Sequence, residues 1–254
     1  MALNIQYCSD LHLEFRENLA FIKTNPLQPI APILILGGDI MLFSEMHRNN
    51  DFFDYVSDNF ERTYWIPGNH EYYNSDAFQR CGMLNENIRS NVHLVNNMAV
   101  IHGDVRLIFS TMWTRIFAGN AWHIERSMND FRVIKYNGLR LSVEIYNELH
   151  QDCLKFLKTE IDKPFSGKTV VTTHHIPTFL NYPPQFKGDI LNEAFAVELD
   201  DYIEQSDIAC WIYGHHHFNV PDYKIGNTQI LTNQLGYVQY GENKSFVSGK
   251  FVEI

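Results

Sequence analysis

Five short stretches of the chain carry residues that could hold metal ions: Asp10-Leu11-His12, Gly37-Gly38-Asp39, Gly68-Asn69-His70-Glu71, His174-His175 and Gly214-His215-His216-His217. Imidazole and carboxylate ligands without thiolate suit Mn²⁺, Fe or Zn²⁺ better than Ca²⁺ or Mg²⁺. Their spacing narrows the choice of ligands. Residues i and i+2 of an extended segment point the same way, so Asp10 and His12 can reach one ion, and so can His215 and His217. Leu11 and His216 then point away, His216 towards solvent or behind the ligands. Glycines before Asp39, Asn69 and His215 allow tight turns where the backbone approaches the ions. Each stretch alone reads as an ordinary turn or strand end; together they read as a site.

Each stretch follows an apolar run of strand length. The runs are 3–8, 33–36, 63–66, 105–109, 169–172 and 208–213, with further strand-like segments at 223–225, 228–231 and 246–252. Gly226-Asn227 marks a hairpin turn between two of them. Helical spacing is clearest over 142–158, where Val143, Tyr146, Leu149, Cys153, Phe156 and Leu157 form one apolar stripe behind an N-cap at Ser142. Helices are also expected over 45–60, 75–89 and 194–205. Alternating strands and helices with a β-rich end predict an α/β or α+β layered domain, with more strands than one sheet holds. In open sheets of this kind ligands bind at the carboxyl ends of the strands, where the five stretches fall.

Length and composition fit a single domain over residues 1–254, since 45% of the residues are apolar. No apolar run approaches the roughly 18 residues of a membrane span, and MALNIQYCSD lacks the pattern of a secretory signal. The cysteines, Cys8, Cys81, Cys153 and Cys210, are widely spaced and read as buried hydrophobes in a reducing compartment, so a cytoplasmic location is expected. The formal net charge of −10 argues against a broad nucleic-acid or anionic-membrane footprint.

The order D-x-H, G-D, G-N-H-E, H, G-H-x-H resembles the calcineurin-like metallophosphoesterase family. STMWTRI, MNDFRVI, VVTTHHIP and LGYVQYGENKSF resemble an uncharacterised bacterial subgroup of it. The resemblance implies a four-layer α-β-β-α sandwich of two mixed sheets with two divalent metal ions (Mn, Fe or Zn) at the strand ends. It puts Asp10, His12 and His217 on one ion, Asn69, His174 and His215 on the other, and Asp39 between both, with His175 as the alternative to His174. It makes His70 the acid or electrostatic partner beside the phosphate. It implies hydrolysis of a small-molecule phosphodiester or phosphomonoester by a metal-bridging hydroxide, with Asp39 and His70 as the catalytic pair. Two divalent ions less Asp10, Asp39 and that hydroxide leave about one positive charge to attract phosphate.

One position departs from the pattern. Many members carry a second acid three residues after the G-D aspartate, where it orients the G-N-H-E histidine. Leu42 stands there in this chain, so another group must orient His70.

The remaining candidates are weaker. His123, Tyr72, Tyr73 and Phe218 could border the site, and Trp113 reads as core. Arg115, Arg126 and Lys187 read as surface charge, with contact to the substrate phosphate as the alternative. Asp130 is expected to bond a neighbouring loop. His47, His93, His102 and His150 have no motif around them. The connection 178–193 reads either as a lid or specificity element or as plain surface packing. A non-catalytic metal-binding scaffold and a nuclease are the competing functions.

Overall fold

The computed structural model describes residues 2–47 and 50–254. In chain order its strands are β1 (Asn4–Cys8), β2 (Ile33–Leu36), β3 (Arg62–Trp65), β4 (Leu84–Arg89), β5 (Val92–Asn96), β6 (Met98–His102), β7 (Val105–Ser110), β8 (Lys135–Tyr136), β9 (Leu139–Arg140), β10 (Lys168–Thr173), β11 (Cys210–Tyr213), β12 (Tyr223–Ile225), β13 (Thr228–Thr232) and β14 (Phe251–Glu253). The helices are α1 (Arg16–Thr24), α2 (Asn50–Asn59), α3 (Ala121–Ser127), α4 (Asp130–Val133), α5 (Val143–Ile161) and α6 (Asp200–Gln205).

Two six-stranded sheets dominate, in the orders β14-β1-β2-β3-β5-β4 and β12-β13-β11-β10-β7-β6. Their design is the same. Four parallel strands fill the middle and one antiparallel strand closes each edge. Strands buried on both faces need apolar side chains at every position, which is why β2 reads ILIL. Ile33 and Ile35 point into the layer between the sheets, together with Ile5, Tyr7, Leu107, Phe109, Val170 and Ile212. Leu34 and Leu36 point outward and pack with Ile22 of α1 and Phe53 and Val56 of α2. On the far sheet, Ile108, Val171 and Trp211 pack against Leu157 and Ile161 of α5 and Ile203 of α6. The result is two mixed sheets between helical layers, as expected.

Several boundaries differ from expectation. Residues 75–89 hold a 3₁₀ turn at Ala77–Gln79 and the strand β4, not a helix. Leu84, the Gly82 break before it and the cross-strand pairing to β5 override the helical propensity there. Of 194–205, only α6 is α-helical, preceded by a 3₁₀ turn at Ile190–Ala194. The helix expected over 45–60 is α2, with Glu45–His47 in a turn and residues 48–49 outside the described residues. The strand expected over 246–252 is confined to β14, because the chain turns at Ser248 and Gly249 before pairing. α5 matches its stripe, and Ser142 caps it by accepting from the Ile145 N–H.

All four cysteines are free and buried. No helix among the described residues is long and apolar enough to cross a membrane.

Candidate metal centre

The strand ends of both sheets converge on one place. β1 leads to Asp10 and His12, β2 to Asp39 and β3 to Asn69 and His70, while β10 of the other sheet leads to His174 and β11 to His215 and His217. The sheets are tied together beside it: the Ser9 N–H donates to the Asn233 carbonyl, and the Leu235 N–H to the Ser9 carbonyl. The ligand atoms of Asp10, His12, Asp39 and His217 lie within 4.8 Å of one another, as do those of Asp39, His174 and His215. Asp39 belongs to both groups.

The pairing of i with i+2 holds for Asp10 and His12, which share one group, but not for His215 and His217, which fall in different groups; strand alternation is the reason in neither case. Asp10 (φ 57°), His12 (φ 47°), Asp39 (φ 54°), His215 (φ 84°) and His217 (φ 55°) are all left-handed. They lie in turns past the strand ends, and five side chains accept a conformation costing of order 1 kcal/mol or more each. The surroundings hold these turns. Both Asp10 carboxylate oxygens accept from the His215 N–H (3.0 and 3.2 Å). The buried Asn18 amide donates to the Leu11 and Gly236 carbonyls and accepts from the Val238 N–H. Glu71 is fully buried and accepts four N–H groups, from Asp39, Ile40, Gly68 and the Trp65 indole. It thereby locks the β2 turn to the β3 turn.

Close approach explains Gly68. A Cβ there would sit 2.2 Å from Asp39 Oδ1 and 2.6 Å from His174 Nε2. At Gly38 a side chain would strike the His174 ring, and the backbone is left-handed as well (φ 92°).

The hydrogen-bond pattern leaves lone pairs aimed inward. His12 Nδ1 donates to Glu14 (3.1 Å), and His217 Nδ1 donates to Glu242 (2.8 Å). Their Nε2 atoms face each other at 2.9 Å. Two imidazole lone pairs at that distance repel unless a cation or proton sits beside them. His174 Nδ1 donates to the Gly37 carbonyl, so its Nε2 is bare, 3.1 Å from His215 Nδ1 and 3.4 Å from Asp39 Oδ1. The Asn69 amide nitrogen donates to Asp130 (3.0 Å), which leaves its buried Oδ1 without a partner. Carboxylates that orient metal-binding side chains from behind are a recurring feature of metal sites, and Glu14, Glu242 and Asp130 stand in that relation here.

The field of the cluster favours positive charge. Burial opposes protonation of His174, yet Asp39, Asp10 and Glu71 outweigh it and lift its pKa to about 9. Burial likewise opposes protonation of His217, and Asp10 with Glu242 lifts it to about 10. Burial and the adjacent His175 and His174 rings hold His215 well below its usual range. These residues fit divalent cations: nitrogen and oxygen donors, buried, oriented and paired with acids.

His175 turns the other way. Its Nδ1 donates to the Thr111 carbonyl, and its ring packs against Trp113 and His215. His216 is hydrogen-bonded to Gln234 and packs against Tyr182 and Tyr213. His216→Ala should therefore leave metal content near wild type by elemental analysis. Loss of an ion would show that His216 holds metal alongside its neighbours His215 and His217.

His70 sits at the rim. Its N–H donates to Asp39 Oδ1 (2.9 Å), its Nδ1 to Glu14 Oε1 (3.0 Å), and its ring stacks on Tyr73. The Tyr237 hydroxyl lies 3.3 Å from its Nε2. Burial lowers the His70 pKa, but Asp39, Glu14 and Asp130 prevail and raise it. Glu14 thus answers the question posed by Leu42. One carboxylate oxygen holds both His12 and His70. The alternation of polar residues at 10, 12 and 14 was a signal for it. Glu14→Ala should cost about 10–100-fold in activity or metal affinity. Glu14→Gln, whose amide oxygen can still accept both N–H groups, should recover most of it. Equal losses in the two variants would mean that positioning is not the role.

The other candidates separate cleanly. Tyr73 lines the cavity above the cluster, whereas Tyr72 is core. Trp113 is core too. His123, Phe218, Arg115, Arg126 and Lys187 do not line the cavity, nor do His47, His93, His102 and His150. Asp130 bonds Asn69 and the Tyr73 hydroxyl. The connection 178–193 contributes Tyr182, Phe186, Asp189, Leu191 and Asn192 to the cavity wall.

A curated relative, an uncharacterised protein of Acanthamoeba polyphaga mimivirus, is 28% identical over 98% of this chain and 96% of its own. The crystal structure of phosphopantetheinyl hydrolase from Mycobacterium tuberculosis superposes with a TM-score of 0.74 at 15% identity, covering 100% of this chain and 96% of that one. That likeness is one of fold. Residues 3–219 match the calcineurin-like phosphoesterase family, which includes every strand end of the cluster, and the chain belongs to that family.

Proposed function

We propose that this protein is a dinuclear metal-dependent phosphoesterase, acting as one domain over residues 1–254 on a small phosphodiester or phosphomonoester. The observation that carries the reading is the shared Asp39, common to two converging ligand groups, with His70 hydrogen-bonded to it at the cavity wall. Asp10, His12 and His217 would hold one ion and Asn69, His174 and His215 the other, with Asp39 touching both. Mn, Fe or Zn would suit this donor set. When bound, the ions supply Lewis acidity, which neutralises phosphate charge and makes a water acidic enough to serve as nucleophile.

The chain's own residues do the rest. Asp39 fixes the two ligand groups against each other and, through the His70 N–H, against His70. Glu14 holds the Nδ1–H of His70, so that Nε2 faces the substrate. From Nε2 a proton passes to the leaving oxygen as the ester bond breaks. Tyr73, stacked on the ring, limits its rotation. The free cysteines, all buried, fit a reducing compartment and hence the cytoplasm.

The test is a chelator-stripped protein reloaded with Mn²⁺, Fe²⁺ or Zn²⁺ and assayed on a chromogenic phosphodiester and the matching monoester. Metal-restored hydrolysis is the expected result, and the ratio of the two rates selects the ester class. No turnover on either, with both ions bound, would favour the scaffold reading.

A further inference from the structure

The cavity over the cluster has a volume of about 640 Å³, far more than a phosphate needs. Its walls say what the rest of the substrate resembles. Phe15, Tyr182, Phe186, Leu191 and Phe195 make one side apolar. Asn74 and Asn129 stand exposed at the mouth, offering amide donors and acceptors. Among the described residues no lysine or arginine lines it, while five carboxylates do: Glu14, Asp39 and Asp130 at the cluster, Glu242 against His217, and Asp189 on the far wall. Arg126, Arg132 and Arg140 line a different cavity, with which this one shares no residue.

We propose that the substrate carries a single phosphate, esterified to a partly apolar arm that bears hydrogen-bonding groups and no further negative charge. The inference rests on the phosphoesterase reading and specifies it. The cluster's positive charge is spent on the scissile phosphate. A second anionic group on the arm would leave water for a partly enclosed space that offers it Asp189 and no lysine or arginine. Nucleoside polyphosphates and nucleic-acid strands are then poor ligands. A neutral arm instead gains aromatic contact and amide hydrogen bonds.

The wall that makes this choice is well held. The Asp189 carboxylate accepts the Leu191 N–H (2.9 Å), the Asn192 amide donates to the Phe186 carbonyl (2.6 Å), and Glu193 accepts from the Phe117 N–H and the Asn120 amide. The segment 178–193 is thus a built specificity wall, and Asp189 is the residue in it that repels an anionic arm.

The test uses the metal-reloaded protein and a matched series of chromogenic phosphodiesters whose arms differ only in ending as an amide, a carboxylate or an ammonium. Hydrolysis is read as kcat/KM. Binding of the non-hydrolysable phosphonates is read by calorimetry. The amide arm should exceed the carboxylate arm at least tenfold in both. Asp189→Asn keeps an acceptor for the Leu191 N–H and should narrow that gap several-fold. Phe186→Ala should weaken the amide arm mainly through KM. Equal or tighter binding of the carboxylate arm would overturn the proposal. Hydrolysis without discrimination would sink it while leaving the phosphoesterase reading intact. Preferential phosphonate binding without any hydrolysis would support the pocket assignment and sink the esterase reading.

Discussion

His70→Asn should lower turnover by about 10²–10⁴, the range of a general acid–base contribution, with metal content unchanged by elemental analysis. His70 lies in neither of the two ligand groups that share Asp39. Its side chain touches Glu14, Tyr73, Tyr237 and the edge of the His12 ring (centroids 4.5 Å), and only its backbone N–H reaches Asp39. Asparagine preserves that N–H and a polar side chain but has no proton to give near neutral pH. The loss should fall on kcat more than on KM, because a proton given to the leaving oxygen matters as the bond breaks and not before. It should also shrink for esters with acidic leaving groups, which need no proton. An unchanged rate on a poor leaving group would remove His70 from the mechanism. A parallel loss of metal would mean that the ring holds the site together.

The cluster of candidate ligands was legible because it is local. Each pair or singlet follows a strand made visible by its apolar run, and the turn residues lie within four positions of the strand end. Most strands of the sheet centres were legible for the same reason, since burial on both faces demands unbroken apolar sequence; β5, whose VHLVN is interrupted by His93 and Asn96, was not expected. The edges were harder. β4 carries polar residues on an exposed face, and its LNENIR pattern gives no strand signal without its partner β5. The supporting groups were hidden by distance along the chain. Asn18 bonds Gly236, Gln234 receives the His217 N–H, and Glu242 receives His217 Nδ1; none has a local signature. The i, i+2 rule joined Asp10 with His12 as the structure does, but it joined His215 with His217, which the left-handed turns send to different groups. In αL turns the side-chain direction depends on tertiary anchors such as Glu71 and Asn18, which no spacing rule contains.

Asp39→Asn should strip both ions, and this separates it from the other ligands. The side chain is buried, with Oδ1 3.4 Å from His174 Nε2 on one side and Oδ2 3.7 Å from His12 Nε2 on the other. Burial alone would raise the carboxyl pKa, but the surrounding His174, His70 and His12 hold it well below the ordinary range, so it stays an anion. Asparagine has the same shape and half the acceptors. One of its termini must present an NH₂ donor towards a place where a cation belongs, and the negative charge serving both ions is gone. Removing a directly bound charged ligand should cost at least the roughly 10–100-fold in affinity typical of changes behind the ligands, and here it counts against two ions at once. Elemental analysis after dialysis should fall towards zero equivalents, not towards one. Asp10→Asn is the control, because Asp10 belongs to one group only and its loss should spare the ion held by Asn69, His174 and His215. Circular dichroism of both variants guards against simple unfolding. Two full equivalents in Asp39→Asn would show that Asp39 does not bridge. One equivalent would assign it to a single ion, and the dinuclear mechanism would then lack the group that couples its halves.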